Sequence, residues 1–277
     1  MKRSDGYELN IGILGCGAIG SRIAHSITDE MKMFPVSLAG LYDIDTHKSK
    51  DLAAQLKDPS LAKATFQDLL DHSNFIVEAV SSTETVHLIE TILAQKKDVL
   101  VISVGQLLNA DHLFKLAKSN QCRILVPSGA IAGIDSLKAC AQIGFSQITL
   151  TTRKPISGFK NNPYIMKKGI ILEQIQEETV IFDGTVDDAV KAFPQNINVA
   201  ATLALATRSK DKIRVRISAS PKFTKNSHEI EAVGDFGRLL TRTENAVCPD
   251  NPKTSYLAVL SAIETLKGHC GSSRIGT

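Results

Sequence analysis

Six residues near the start of the chain, Gly15-Cys16-Gly17-Ala18-Ile19-Gly20, constrain its fold more than any other segment. They follow an apolar run from Leu9 to Leu14 that reads as a strand, and they lead into a helical pattern from Ala18 to Ser26. At a strand-to-helix junction each glycine has a physical task. Gly15 permits the tight turn, Gly17 keeps a Cβ from standing between the backbone and an incoming ligand, and Gly20 lets the helix pack closely on the strand. The start of the helix then offers N–H groups without intrahelical partners and a partial positive charge, which suits a phosphate. Glycine turns are common, so the run alone is weak. Its weight comes from its setting and from Asp43, which closes a second strand-like run, Val36 to Tyr42, about twenty residues further on.

A carboxylate at that position accepts the two ribose hydroxyls of a dinucleotide and repels a 2′-phosphate, so the expected cofactor is NAD. NADP stays open, because His47 and Lys48 can approach a phosphate, although both also read as solvated helix surface. The cofactor-binding set is therefore Gly15, Cys16, Gly17, Ala18, Ile19, Gly20 and Asp43. Ala79, Val80 and Ser81 join it, since they follow the run Phe75 to Val80 and ligands of open α/β sheets sit at the carboxyl edge.

Strand-like and helical stretches continue to alternate through Asp51–Leu56, Thr83–Ala94, Val99–Val104, Asp111–Lys118 and Arg123–Val126. This alternation predicts right-handed βαβ crossovers and a Rossmann-type, doubly wound parallel sheet over residues 1–126. Beyond about residue 135 the period changes to two. In Lys212 to Ser218, Ile213, Val215 and Ile217 share one face, and Arg214, Arg216 and Ser218 the other; Gln147 to Arg153 alternates similarly. With His228–Ala232 and Arg238–Arg242, these predict a second α/β domain on a mainly antiparallel sheet over residues 127–250, carrying catalysis and dimerisation. Thr185 and Asp188 resemble a capping box whose helix stops before Pro194. Asn251 with Pro252 reads as a helix start for residues 251–267, a helix expected to pack back on or near the first domain.

Composition removes several function classes. With 32 basic and 29 acidic side chains the formal charge is +3, too slight to argue for nucleic acid or a membrane surface as partner. The five cysteines are scattered, which speaks against a disulfide framework or a bound metal and fits a reducing compartment. No apolar run approaches the roughly 20 residues that span a bilayer, and the first ten residues lack an apolar signal core. The expected location is the cytoplasm.

Hydride chemistry needs a group that handles protons beside the nicotinamide. His228, at the start of a strand among polar neighbours, is the candidate, with a hydrogen-bonded structural histidine as the alternative. Ser128-Gly129-Ala130-Ile131-Ala132-Gly133 is made of small residues that let a ligand reach the backbone. Asn196 and Asn198 place amides where an apolar helix begins, and Asn198 can either cap that helix or meet a ligand.

The segments SGAIAG, FPQNINVAATLAL, NSHEIEAVGDFG and NPKTSYLAVLSAI, together with GILGCGAIG, resemble the L-aspartate dehydrogenase family. The likeness runs from about residue 10 to 267 with the motifs in order. It implies a homodimer that oxidises L-aspartate with NAD or NADP to iminosuccinate, which hydrolyses to oxaloacetate and ammonia or feeds NAD biosynthesis. It makes His228 the catalytic residue, and Ala130 and Asn198 cofactor contacts, with Asn196 the relevant amide if the motif is read two residues earlier. A substrate with two carboxylates needs cationic partners, for which Arg153, Lys154 and Lys253 are the candidates. Two other readings remain: a homoserine-dehydrogenase-like or dihydrodipicolinate-reductase-like enzyme of similar layout, and a non-catalytic NAD-binding regulator.

Overall fold

The computed structural model describes residues 8–80, 82–193, 197–248, 251–273 and 275–276, with the backbone alone for 251–253. The chain divides into two compact units. One runs up to Pro127 and takes in the stretch from Val259 onward; the other is Ser128–Ala258.

In the first unit, β1 (Leu9–Leu14), β2 (Val36–Tyr42), β3 (Phe75–Glu78), β4 (Asp98–Val101) and β5 (Ile124–Leu125) form a sheet in the order β2-β1-β3-β4-β5. Every neighbouring pair is parallel. The strands are joined through α1 (Ala18–Asp29), α2 (Thr46–Gln55), α3 (Phe66–His72), α4 (Thr85–Ala94) and α5 (Asp111–Ser119). All four residues of β3 are buried, and three of them, Phe75, Ile76 and Val77, are apolar, as expected of a strand covered on both faces. Crossovers from β1 go one way to β2, while β3 lies on its other side, so the carboxyl ends of β1 and β3 flank the switch point where such sheets bind ligands.

The second unit contains α6 (Ile134–Cys140), β6 (Gln147–Pro155), α7 (Pro163–Lys167), β7 (Thr179–Thr185), α8 (Val186–Ala192), α9 (Asn198–Thr207), β8 (Ile213–Ser220), β9 (Asn226–Gly234) and β10 (Gly237–Asn245). Its sheet has the order β10-β9-β6-β8-β7. Only the β6–β8 pair is parallel; the other three pairs are antiparallel. Ile213, Val215 and Ile217 of β8 are buried, whereas Arg214 and Arg216 point outward to the Asp183 carboxylate at 2.5 and 3.1 Å. Phe159, Tyr164, Phe182 and Phe193 cluster with centroids 5.3–6.1 Å apart, three of the four pairs edge to face and Tyr164–Phe193 tilted. The capping box is present: Thr185 Oγ1 accepts from the Asp188 N–H at 3.2 Å, and α8 ends at Ala192.

The C-terminal segment departs from expectation. Asn251–Ser255 is a strand, β12, paired with β11 (Val247–Cys248) through Val247↔Ser255 and Cys248↔Asn251. The helix α10 starts at Tyr256 and runs to Cys270. A proline at the first helical position is a local preference, and here hairpin pairing overrides it; a two-stranded ribbon tolerates the missing N–H. From Val259 onward α10 belongs to the first unit and buries Val259, Ala262, Ile263 and Leu266. His269 sits beside Asp98 Oδ2 at 3.5 Å, its ring 5.2 Å from Phe75. Among the described residues no helix is long and apolar enough to cross a membrane.

Candidate active site

The glycine turn joins β1 to α1 and is held from two sides. Gly15, at φ +98°, donates its N–H to Tyr42 O at 2.8 Å, and a Cβ there would lie 2.6 Å from the Ala79 carbonyl oxygen. A Cβ on Gly20 would approach Gly15 O to 1.9 Å, so only glycine lets α1 start so close to the turn. Gly17 is the helix N-cap; nothing lies within 4 Å of where its Cβ would be, and no side chain caps the helix. Ser21 makes the first intrahelical bond, to Gly17 O, so the N–H groups of Ala18, Ile19 and Gly20 precede the helical ladder. This is an open cradle that fits a pyrophosphate.

Asp43 closes the turn from the end of β2. Its Oδ2 accepts the Cys16 N–H at 2.8 Å and its Oδ1 the Asp45 N–H at 2.9 Å. Each oxygen keeps a second lone pair, so the carboxylate can fix the loop and still accept ribose hydroxyls. Burial, helped by the Asp43 charge and opposed by Lys48, pushes the Cys16 thiol up to about 12, so it stays protonated and unreactive. Lys48 itself lies 3.8 Å from Asp45.

Ala79 and Val80 follow β3 at the same edge and are half-buried. Ser81 lies outside the described residues. Sequence reasoning passed over Glu78, the last residue of β3, which is fully buried. Its Oε1 lies 3.0 Å from the Val80 N–H and 2.9 Å from Ser103 Oγ, and its Oε2 accepts the Ser103 N–H at 3.1 Å. Ser103 Oγ also contacts the Val80 carbonyl oxygen. Burial raises the Glu78 carboxyl above its usual range. An acid inside the run FIVEAV was the available signal.

In the second unit His228 is 7% exposed and lies opposite Thr152 in the β6–β9 register, with Thr152 Oγ1 3.0 Å from its Nδ1. Lys154, two residues along β6, projects from the same face. Burial, and then the Lys154 charge, holds the His228 imidazole down to about 3, so it is neutral at ordinary pH. Burial also lowers the Lys154 ammonium to about 8. Thr152 and Lys154 line a small cavity with Phe159, Phe193, Ile197 and Ala200.

The other cross-strand partner of His228 is Thr243 on β10. Thr241, Thr243 and Asn245 occupy one face of β10 and grip the small-residue loop. Thr243 Oγ1 and Asn245 Nδ2 donate to Ala130 O at 2.8 and 3.0 Å, and Thr241 Oγ1 donates to Ala132 O at 3.2 Å. His228, Thr152, Lys154 and the Ala130 loop are thus gathered by one sheet.

Arg153 is not part of that gathering. It points to the opposite face of β6, where Glu178 and Glu229 engage it at 2.8 and 3.3 Å. Asn198 is exposed and opens α9 as its first helical residue; the cap is Ile197, with no side-chain capping bond. Asn196 and the Lys253 side chain lie outside what is described, and the backbone of Lys253 is in β12 rather than at a helix start.

A parallel sheet with an open glycine cradle, joined to a second sheet carrying a buried imidazole, defines a two-unit NAD(P)-dependent oxidoreductase. The family model described as "Homoserine dehydrogenase, NAD binding domain" matches residues 15–127, and "Aspartate dehydrogenase, C-terminal" matches residues 135–269. An L-aspartate dehydrogenase from Methanosarcina barkeri is 42% identical over 97% of this chain and 100% of its own length. That of Methanococcus maripaludis is 39% identical over 97% of this chain and 100% of its own. The crystal structure of aspartate dehydrogenase from Thermotoga maritima superposes with a TM-score of 0.73 at 25% identity, covering 98% of this chain and all of that one. A hyperthermophilic archaeal homoserine dehydrogenase, solved with NADPH, shares the fold at a TM-score of 0.58 and 13% identity, over 95% of this chain and 97% of that one. The chain belongs to the L-aspartate dehydrogenase family.

Proposed function

We propose that this chain oxidises L-aspartate to iminosuccinate, with NAD as the preferred cofactor and His228 as the group that moves the proton. The observation carrying this reading is the buried, neutral His228 bonded to Thr152, with the Lys154 ammonium on the same sheet face and Thr243, its partner across β10, holding the Ala130 loop. The glycine cradle and Asp43 would hold the dinucleotide, with Ala79, Val80, Ala130 and Asn198 as further contacts; when bound, the cofactor accepts the hydride released from the substrate Cα.

The remaining work falls to the side chains. Lys154 receives one substrate carboxylate, and its partly desolvated ammonium makes that pair stronger than a surface one. A carboxylate there also offsets the positive charge that helps depress His228, so substrate binding moves the imidazole toward a useful pKa. Thr152 occupies Nδ1 and leaves Nε2 to take a proton from the water that attacks the imine, giving oxaloacetate and ammonia. Iminosuccinate that escapes hydrolysis is available for NAD biosynthesis. The working assembly is a homodimer located in the cytoplasm, where its five thiols stay reduced.

The test is NADH formation followed by absorbance with L-aspartate, NAD being compared with NADP and aspartate with homoserine. Turnover of homoserine and none of aspartate sinks the reading. His228→Ala should lower turnover by about a hundredfold or more while the dissociation constant for NAD stays unchanged. Near-normal turnover in that variant removes the role from His228.

A further inference from the structure

A substrate with two carboxylates needs a second anion partner beside Lys154, and β10, the edge strand of the second sheet, shapes one. Two donors converge there on a single acceptor. Thr243 Oγ1 and Asn245 Nδ2 both donate to Ala130 O, and Asn245 Nδ2 also lies 3.4 Å from Thr243 Oγ1. Both lone pairs of the Ala130 carbonyl are thereby taken, which fixes the plane of the peptide between Ala130 and Ile131. The C=O and N–H of a trans peptide point in opposite directions, so the Ile131 N–H is turned away from β10. Thr241 holds Ala132 O in the same way and turns the Gly133 N–H likewise.

These amides are not satisfied by the protein. Ala130 and Ile131 are only 6% and 3% exposed, yet the N–H groups of residues 130–133 reach no acceptor among the described residues. A buried amide N–H is nearly always paired, so an acceptor brought by a ligand belongs there. An independent sign of a ligand stands on the next strand. His228, the cross-strand partner of Thr243, is buried with Nδ1 on Thr152 and with no partner for Nε2 among the described residues. The charge suits an anion as well. On the face that carries His228, strands β6, β9 and β10 present no acidic side chain, and Lys154 is there; Glu229, Glu231 and Glu244 alternate onto the other face.

We propose, on the reading that this face takes L-aspartate, that Asn245 and Thr243 are positioning residues that aim the Ile131 N–H at the carboxylate Lys154 does not hold. Two carboxylate partners on one face then select a dicarboxylate over an amino acid with an apolar or hydroxylated side chain, because the substrate lacking the second group leaves the amide unpaired.

Isotopic labelling of isoleucine nitrogen lets the Ile131 amide be followed by NMR in the intact protein, with Ile131→Val to assign its signal. In the presence of NADH, succinate, a dicarboxylate that cannot react, should shift that signal, and butyrate, with one carboxylate, should not. A signal that responds to NADH but not to succinate gives the amide to the cofactor and overturns the proposal, as does one that responds to neither or equally to both acids. In kinetics, Asn245→Asp replaces the donor with an oxygen that repels Ala130 O. KM for L-aspartate should rise about tenfold or more with a smaller change in kcat, and succinate should lose its advantage over butyrate as an inhibitor, while ADP-ribose binds as before. Thr243→Val should act in the same direction, and Thr243→Ser should behave as the unaltered protein. An undiminished preference for succinate in N245D overturns the positioning; should N245D fail to fold, the Ile131 signal of the unaltered protein decides. If the unaltered protein does not turn over aspartate, the reading of the site has failed, whereas turnover with an unresponsive Ile131 amide overturns the positioning alone.

Discussion

His228 is neutral because its surroundings disfavour the cation, and that leaves a signature in stability. Its folded value of about 3 lies below the ordinary 6.5, so between those limits the unfolded chain binds a proton that the folded chain excludes. Stability is therefore complete above about pH 6.5 and declines as the pH falls toward 3. His228→Gln should flatten that decline, as read from urea midpoints over a pH series; an unchanged slope shows that the histidine is not held neutral. Thr152 acts through the same ring. Thr152→Val keeps the shape but leaves Nδ1 without a partner, which costs about 1–3 kcal/mol of stability. Turnover should fall with it, and Thr152→Ser should restore the rate; a valine variant with normal kcat and pH profile would show that the bond only fills space. The histidine was legible as a strand-start residue among polar neighbours. Its partner was not, because Thr152 and His228 are brought together by strand register and nothing near either position announces it.

Among the elements, the glycine turn was the most legible, since a tight turn, a bare helix start and a strand-end acid are all local demands. Gly20→Ala would force a methyl group against Gly15 O, so α1 must move away from β1. The expected cost is about 1–3 kcal/mol, and dinucleotide affinity should drop at least tenfold. Calorimetry with NAD checks it, and unaltered binding would mean the turn can relax without losing its cradle. The capping box of α8 was readable for the same reason of locality. The start of α10 was misread because Asn251-Pro252 satisfies a helix rule on its own, while the competing strand β12 depends on pairing with β11. The comb of Thr241, Thr243 and Asn245 was missed likewise: its alternation is visible along β10, but its purpose lies in a loop more than a hundred positions earlier.

Across the molecule, the chain leaves the first unit at Pro127 and returns to it at Val259. The returning helix buries Val259, Ala262, Ile263 and Leu266, side chains that stabilise by about 1.5–3 kcal/mol each when fully covered. Ending the chain at Ser255 should lower the thermal transition of the first unit and abolish NAD binding at micromolar concentrations. Retention of both would make α10 dispensable. The alternation of strands and helices made the parallel sheet readable from sequence, and the change to a period of two marked where the second sheet begins. A discontinuous unit also has a consequence for biogenesis. During translation the ribosome must finish all of Ser128–Ala258 before the part of α10 from Val259 onward emerges, so the unit that carries the glycine turn completes its fold only after the intervening one has been made.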